Sequence, residues 1–130
     1  MPLEKGLPKR CRHRVTGMPL RQALVDAAAT RPDRTAISRR YSLDPNVSTL
    51  LVMGGSQGSA ALNERMMEIP AALRDLAGRF QVIHLTGRES NDELQYAYRA
   101  CGIDACVKAR EDCMQDCYAL ADLVLCRAGA

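Results

Sequence analysis

Residues 50–63 read Leu-Leu-Val-Met-Gly-Gly-Ser-Gln-Gly-Ser-Ala-Ala-Leu-Asn. An apolar run enters a glycine-rich bend, and a run of strong helix formers leaves it. That order predicts a strand, a tight turn and a helix. The turn sets backbone N–H groups at a helix N-terminus, where the first amides lack intrahelical partners and the dipole is positive. Such a place receives phosphate. The glycines permit positive φ and close backbone approach, and Ser56 and Ser59 add hydroxyl donors.

The pattern is not specific by itself. Gly54-Gly55-x-x-Gly58 overlaps the second half of a dinucleotide fingerprint but lacks its first spacing, and it has no Lys-Ser/Thr of a Walker loop. The bland alternative is a strand-to-helix turn that binds nothing. A sharper rival is the nucleophile elbow of α/β-hydrolases, because Gly54-x-Ser56-x-Gly58 fits G-x-S-x-G. That enzyme needs an acid and then a histidine downstream. The only histidine after Ser56 is His84, on the next predicted strand, so the order serine, acid, histidine cannot be assembled. A strand histidine of this kind is expected to be a satisfied core residue rather than a catalyst.

The rest of the chain repeats the strand-helix alternation. Strands are predicted over 49–53, 80–85, 105–108 and 122–126. Helices are predicted over about 58–77 with a kink at Pro70, over 90–101 ending at Gly102, and over 112–121. This predicts an α/β fold, a Rossmann-like parallel sheet with flanking helices and right-handed crossovers. Ligands on such sheets sit beyond the carboxyl ends of the strands, where the loop 54–58, the turn Thr86-Gly87 and the segment 127–129 converge. Upstream, 1–14 read as irregular with a short strand near Arg14-Val15. A helix is expected over 19–29, and 31–48 form a polar connector with a short helix near 34–41. The division expected is a basic linker segment, 1–48, and a partial nucleotide-binding domain, 49–130.

Charge follows that division. Residues 1–48 hold ten Lys/Arg against four Asp/Glu, a balance of +6; residues 49–130 hold eight against eleven, a balance of −3. The basic arm fits no nucleic-acid motif and has no aromatic interleaving beyond Tyr41, so it reads as a solvated connector and no nucleic-acid partner is expected. No apolar run approaches the ~20 residues of a membrane helix, and no secretory signal follows the basic start, which argues for the cytoplasm. Aromatics make up only 4% of the chain, so Leu, Val, Ala, Met and Cys must fill the core. The six cysteines then read as reduced, small hydrophobes. Cys113 and Cys117 share a helix face, but there is no CxxC and only two histidines, so no metal site is expected.

Several spaced segments resemble one family. Val15-Thr16-Gly17-Met18-Pro19-Leu20-Arg21 is similar to the V-T-G-N-P-V-R segment of the MurG-type glycosyltransferases. Gly54-Gly55-Ser56-Gln57-Gly58-Ser59, followed by Leu62-Asn63, resembles their G-G-S-Q-G-A loop. His84-Leu85-Thr86-Gly87-Arg88 is similar to their H-x-T-G-K turn. Asp112 through Tyr118, with Ala121 through Ala130, resembles their D-D-M-x-x-x-Y-x-x-A-D-[VL]-[VI]-[VI]-x-R-[SA]-G-A run. The departures are Met18 for Asn, Glu111 for an apolar residue and Cys113 for an acid.

The resemblance covers about 13–130 in order. It implies the first part of the donor half of a GT-B fold, two Rossmann-like halves around a cleft. The implied activity is inverting transfer of N-acetylglucosamine from UDP-N-acetylglucosamine to lipid I, giving lipid II for peptidoglycan. It implies that Arg21 contacts the diphosphate or base side of the nucleotide. Ser56 and the loop Gly54, Gly55, Gln57 and Gly58 hold the diphosphate, the backbone near Glu111 borders the uracil, and Ala130 begins the stretch to the ribose. No cofactor is implied. The lipid acceptor and the catalytic base belong to the half that is not matched here, so no residue of this chain is assigned as a catalyst. Contact with the membrane is implied only peripherally. A separate, non-catalytic nucleotide-binding or partner module and a hydrolase fragment remain the alternatives.

Overall fold

The computed structural model describes residues 17, 19–30, 32–87 and 92–127. The arm over 1–14, its strand near Arg14-Val15, Met18, Arg88 and Ala130 lie outside them. In chain order the elements are α1 (Gln22–Thr30), α2 (Arg34–Arg40), β1 (Ser48–Met53), α3 (Ala60–Ala72), β2 (Phe80–Leu85), α4 (Asp92–Ala100), β3 (Ala105–Lys108), α5 (Met114–Leu120) and β4 (Leu123–Cys126). A 3₁₀ turn, Arg74–Leu76, follows α3.

The four strands form one parallel sheet in the order β3-β2-β1-β4. The path runs outward from β1 through β2 to β3 and then returns to the far side of β1. This reversal opens a crevice beyond the carboxyl ends of β1 and β4, the usual ligand position in such sheets.

Side-chain alternation divides the core into two. Leu51, Ile83 and Leu85 point to the face covered by α2 and α5, where they meet Ile37, Tyr41, Leu43, Cys117 and Leu120. Val52 and Val82 point to the opposite face, against Met66, Leu94, Tyr98 and Ile103 from α3, α4 and the loop that follows α4. A sheet covered on both faces needs near-continuous apolar strands, which is what β1 and β2 supply. The acid and guanidinium groups of the connector are also used. Arg34 donates to the carbonyls of Pro45 and Val47 and pairs with Asp122 at 2.9 Å. Buried Gln81 donates to the carbonyls of Asp44 and Val47 and to Thr49 Oγ1, and accepts from the Asp44 N–H.

Several helix bounds differ from those expected, most of all in α1 and α3. α1 starts at Gln22 rather than at Pro19. α3 stops at Ala72, two residues past Pro70, instead of running to 77. Pro70 lacks the N–H for its own turn, and the chain tightens into the 3₁₀ turn after it. All five cysteines among the described residues are free thiols.

Candidate functional site

β1 ends at Met53, and the bend turns on Gly55 (φ 93°) and Gly58 (φ 73°). Only a residue without a Cβ adopts these angles cheaply. The Gly58 N–H closes the turn on the Gly55 carbonyl at 3.0 Å. Ser59 then caps α3: its backbone is extended and its Oγ accepts from the Leu62 N–H at 3.3 Å. The amides of Gly55, Ser56 and Gln57 make no hydrogen bond among the described residues, and all three residues are exposed. The bend therefore presents unspent donors at the positive end of a thirteen-residue helix.

The three glycines of the bend divide their work. Gly55 faces open space. A Cβ on Gly54 would lie 2.4 Å from the Ser59 nitrogen, and one on Gly58 would lie 1.9 Å from the Thr86 carbonyl oxygen. Gly54 and Gly58 thus serve close packing of the bend on itself and on the turn after β2. Sequence spacing cannot separate that use from approach to a ligand.

A cleft of about 510 Å³ opens beside the bend. One wall is apolar, made by Leu20, Leu24, Met53, Leu85, Met114 and Tyr118; the rest is Pro19, Arg21, Gly55, Ser56, Arg110, Glu111 and Asp112. Of the site residues expected from the sequence, Arg21, Gly55, Ser56 and Glu111 come together here. Gly54, Gln57 and Gly58 belong to the bend but do not line the cleft, and Ala130 lies outside the described residues. The sequence reading missed Arg110, Asp112, Leu24, Met53 and Tyr118. Their signal was position alone, at the carboxyl end of a strand or on a helix that packs there.

Glu111 does not offer a free charge to the cleft. One carboxylate oxygen accepts from Lys108 Nζ at 2.8 Å, and the other accepts from the Cys113 N–H at 3.0 Å. Burial alone would raise its pKa, but these hydrogen bonds outweigh burial and hold the carboxyl below its ordinary value. The side chain is thus folded onto the start of α5, and Arg110, Glu111 and Asp112 all line the cleft. Lys108 is held in turn over the Tyr41 ring, 4.6 Å from its centroid.

His84 is fully buried on β2, with Nδ1 3.0 Å from the Tyr98 hydroxyl and Nε2 3.1 Å from Asn63 Oδ1. Both ring nitrogens are occupied, so it is not a base for Ser56. Burial pushes its pKa down to about 4. Among the described residues the hydrolase alternative has no histidine left to use.

Comparison with known proteins bears on the family of the chain. The profile described as "Glycosyltransferase family 28 C-terminal domain" matches residues 49–130. Among curated relatives, the protein named UDP-N-acetylglucosamine--N-acetylmuramyl-(pentapeptide) pyrophosphoryl-undecaprenol N-acetylglucosamine transferase of Anaeromyxobacter sp. (strain K) is 48% identical over 81 residues, 62% of this chain and 21% of that protein. The proteins of the same name from Streptomyces coelicolor and Geobacter metallireducens are 40% and 36% identical over 120 and 116 residues. Those matches take in 90% and 89% of this chain but only 31% and 30% of the relatives. The chain thus spans less than a third of the length of these relatives. Profile, relatives and parallel sheet agree: this chain belongs to glycosyltransferase family 28, through its C-terminal domain.

Proposed function

We propose that this chain binds the nucleotide of UDP-N-acetylglucosamine as part of an enzyme that transfers N-acetylglucosamine to lipid I. The observation that carries the reading is the cleft, which gathers the bend at Gly55 and Ser56, Arg21 and the loop at Arg110 and Glu111. The diphosphate lies on the amides of Gly55 and Ser56 in the cleft and of Gln57 at its rim, with Arg21 as the cation. Gly54 and Gly58 shape the bend. The uracil sits along the loop at Glu111, whose carboxylate is already neutralised by Lys108. The apolar wall of Leu24, Met53 and Tyr118 covers the face of the nucleotide. By the family resemblance, Ala130 belongs to the stretch that meets the ribose.

Departure of UDP from the sugar carbon places negative charge on the leaving phosphate, so donors aimed there act more strongly in the transition state than in the ground state. No residue of this chain is assigned as general base. The acceptor and the base belong to the portion of the relatives not matched here, and the membrane is met only peripherally, through the lipid-linked acceptor.

Calorimetry with UDP tests the reading. The chain binds UDP, and Arg21→Ala weakens binding by about tenfold or more, the worth of one charge-assisted contact. Ser56→Ala weakens it less, because the amides remain. Equal affinity of the Arg21→Ala chain would remove Arg21 from the site, and no binding by the parent chain would overturn the proposal. Lipid II synthesis by the 130-residue chain alone would refute the assignment of the base elsewhere.

A further inference from the structure

His84 is a buried titratable group that the donor site does not use directly, yet its neighbours lead to the bend. Asn63 Nδ2 donates to the Thr86 carbonyl at 3.1 Å, so Oδ1, an acceptor only, is the atom that faces His84 Nε2. Nε2 must carry the ring proton. Nδ1 is then the bare nitrogen, and the Tyr98 hydroxyl donates to it. The direction of every bond follows: Tyr98 to His84, His84 to Asn63, Asn63 to Thr86. This crosses from α4 through β2 to the first turn of α3 and ends on the turn after β2.

That last carbonyl is the surface on which the bend rests. The backbone of Gly58 packs so closely on Thr86 that no Cβ fits between them, and a Cβ on Gly87 would meet the Gly58 nitrogen at 2.2 Å. The same turn is tied to the other end of the cleft. The N–H groups of Thr86 and Gly87 donate to the carbonyls of Lys108 and Ala109, at 2.9 and 2.8 Å, just before the loop that carries Arg110 and Glu111.

We propose that Asn63 and His84 are positioning residues for the donor diphosphate: their hydrogen-bond relay fixes the Thr86-Gly87 turn under Gly58 and thereby sets the direction of the free amides of Gly55, Ser56 and Gln57. The inference rests on the donor-site reading above. A neutral relay suits the task. Its bonds all run one way, every member is satisfied, and the ring is wholly desolvated, so it has no competing arrangement with water.

The test uses Asn63→Ala in the full 130-residue chain; Asn63 is only partly buried, so truncating it leaves both core clusters closed. Four readings are taken, on this variant, on two His84 variants and on the parent chain. In the ligand-free spectrum, the amides of Gly55 to Gly58 shift in the variant; unchanged amides overturn the relay whether or not UDP binds. In calorimetry, the variant loses about tenfold in affinity for UDP while uridine stays within about twofold; an equal loss for both ligands marks a merely structural role and overturns the proposal. His84→Gln, whose side-chain N–H also reaches Asn63, keeps UDP affinity within about threefold, whereas His84→Leu loses as Asn63→Ala does; failure of that rescue overturns the directionality. The parent ring is read directly by its nitrogen shifts: a proton on Nε2 is expected, and one on Nδ1 refutes the relay. A parent chain that gives shifted amides in the variant but binds no UDP itself overturns the donor-site reading instead, and with it the diphosphate role.

Discussion

Gly55 and Gly58 both hold a positive φ, yet they face opposite surroundings. A Cβ at Gly55 meets nothing within 4 Å, whereas one at Gly58 would lie 1.9 Å from a backbone oxygen that cannot move without dragging β2. Gly55→Ala should cost roughly 1–2 kcal/mol, the left-handed penalty alone. Gly58→Ala should cost at least about 3 kcal/mol, because clash is added to strain. Urea unfolding of the two variants checks the difference. His84 gives a second residue-scale expectation. Burial lowers its ordinary pKa of 6.5 to about 4 in the fold, where, among the described residues, the Tyr98 hydroxyl and the Asn63 amide face it. Below pH 6.5 the unfolded chain takes up a proton that the folded chain refuses, so this contribution is intact above pH 6.5 and is lost as the pH falls toward 4. The loss is about 3 kcal/mol at most. Stability measured from pH 7 to 4 should fall, and His84→Gln should flatten that fall. The spacing G-G-x-x-G is the same whether a glycine faces a ligand or a carbonyl, so the first property is not legible in sequence; the burial of His84 was expected from its strand, but its partners Tyr98 and Asn63 were not.

At the scale of elements, the alternation of strands and helices was readable from apolar period and punctuation. The four strands match their expected spans within a residue, because β1 and β2 are apolar runs covered on both faces. Helix ends were less legible: α3 runs through Pro70 and stops at Ala72, short of the expected 77. How the connector is used was not legible at all. Arg34 and Asp122 are 88 residues apart, and only the fold brings them together at the start of β1, where Asp122 also accepts the Thr49 N–H at 2.7 Å. Burial would raise the Asp122 pKa, but these donors outweigh it and lower it. Arg34→Ala and Asp122→Ala should each cost about 1 kcal/mol. The double variant should cost less than the sum by about 0.5 kcal/mol, as expected for a half-exposed pair. A double-mutant cycle in urea measures it.

For the molecule as a whole, the topology places the cleft and also leaves an edge. β4 pairs with β1 on one side only among the described residues, and Leu123 on it is 67% exposed. An apolar, half-paired strand invites association. Sedimentation of the chain should show concentration-dependent association, and Leu123→Lys should reduce it without weakening UDP binding, because Leu123 is not among the cleft residues. Association unchanged by this substitution would place the contact elsewhere.

By itself the sequence determined the element types, the parallel α/β class, the glycine bend at a helix N-terminus and the family resemblance. All of these follow from local period, turn chemistry and motif spacing. Only the tertiary structure decided which glycines pack on backbone, where the Glu111 carboxylate spends its charge, and that Tyr98, His84 and Asn63 form one chain of bonds. Those outcomes depend on atoms brought together from distant parts of the chain, and their distances arise only when the sheet closes.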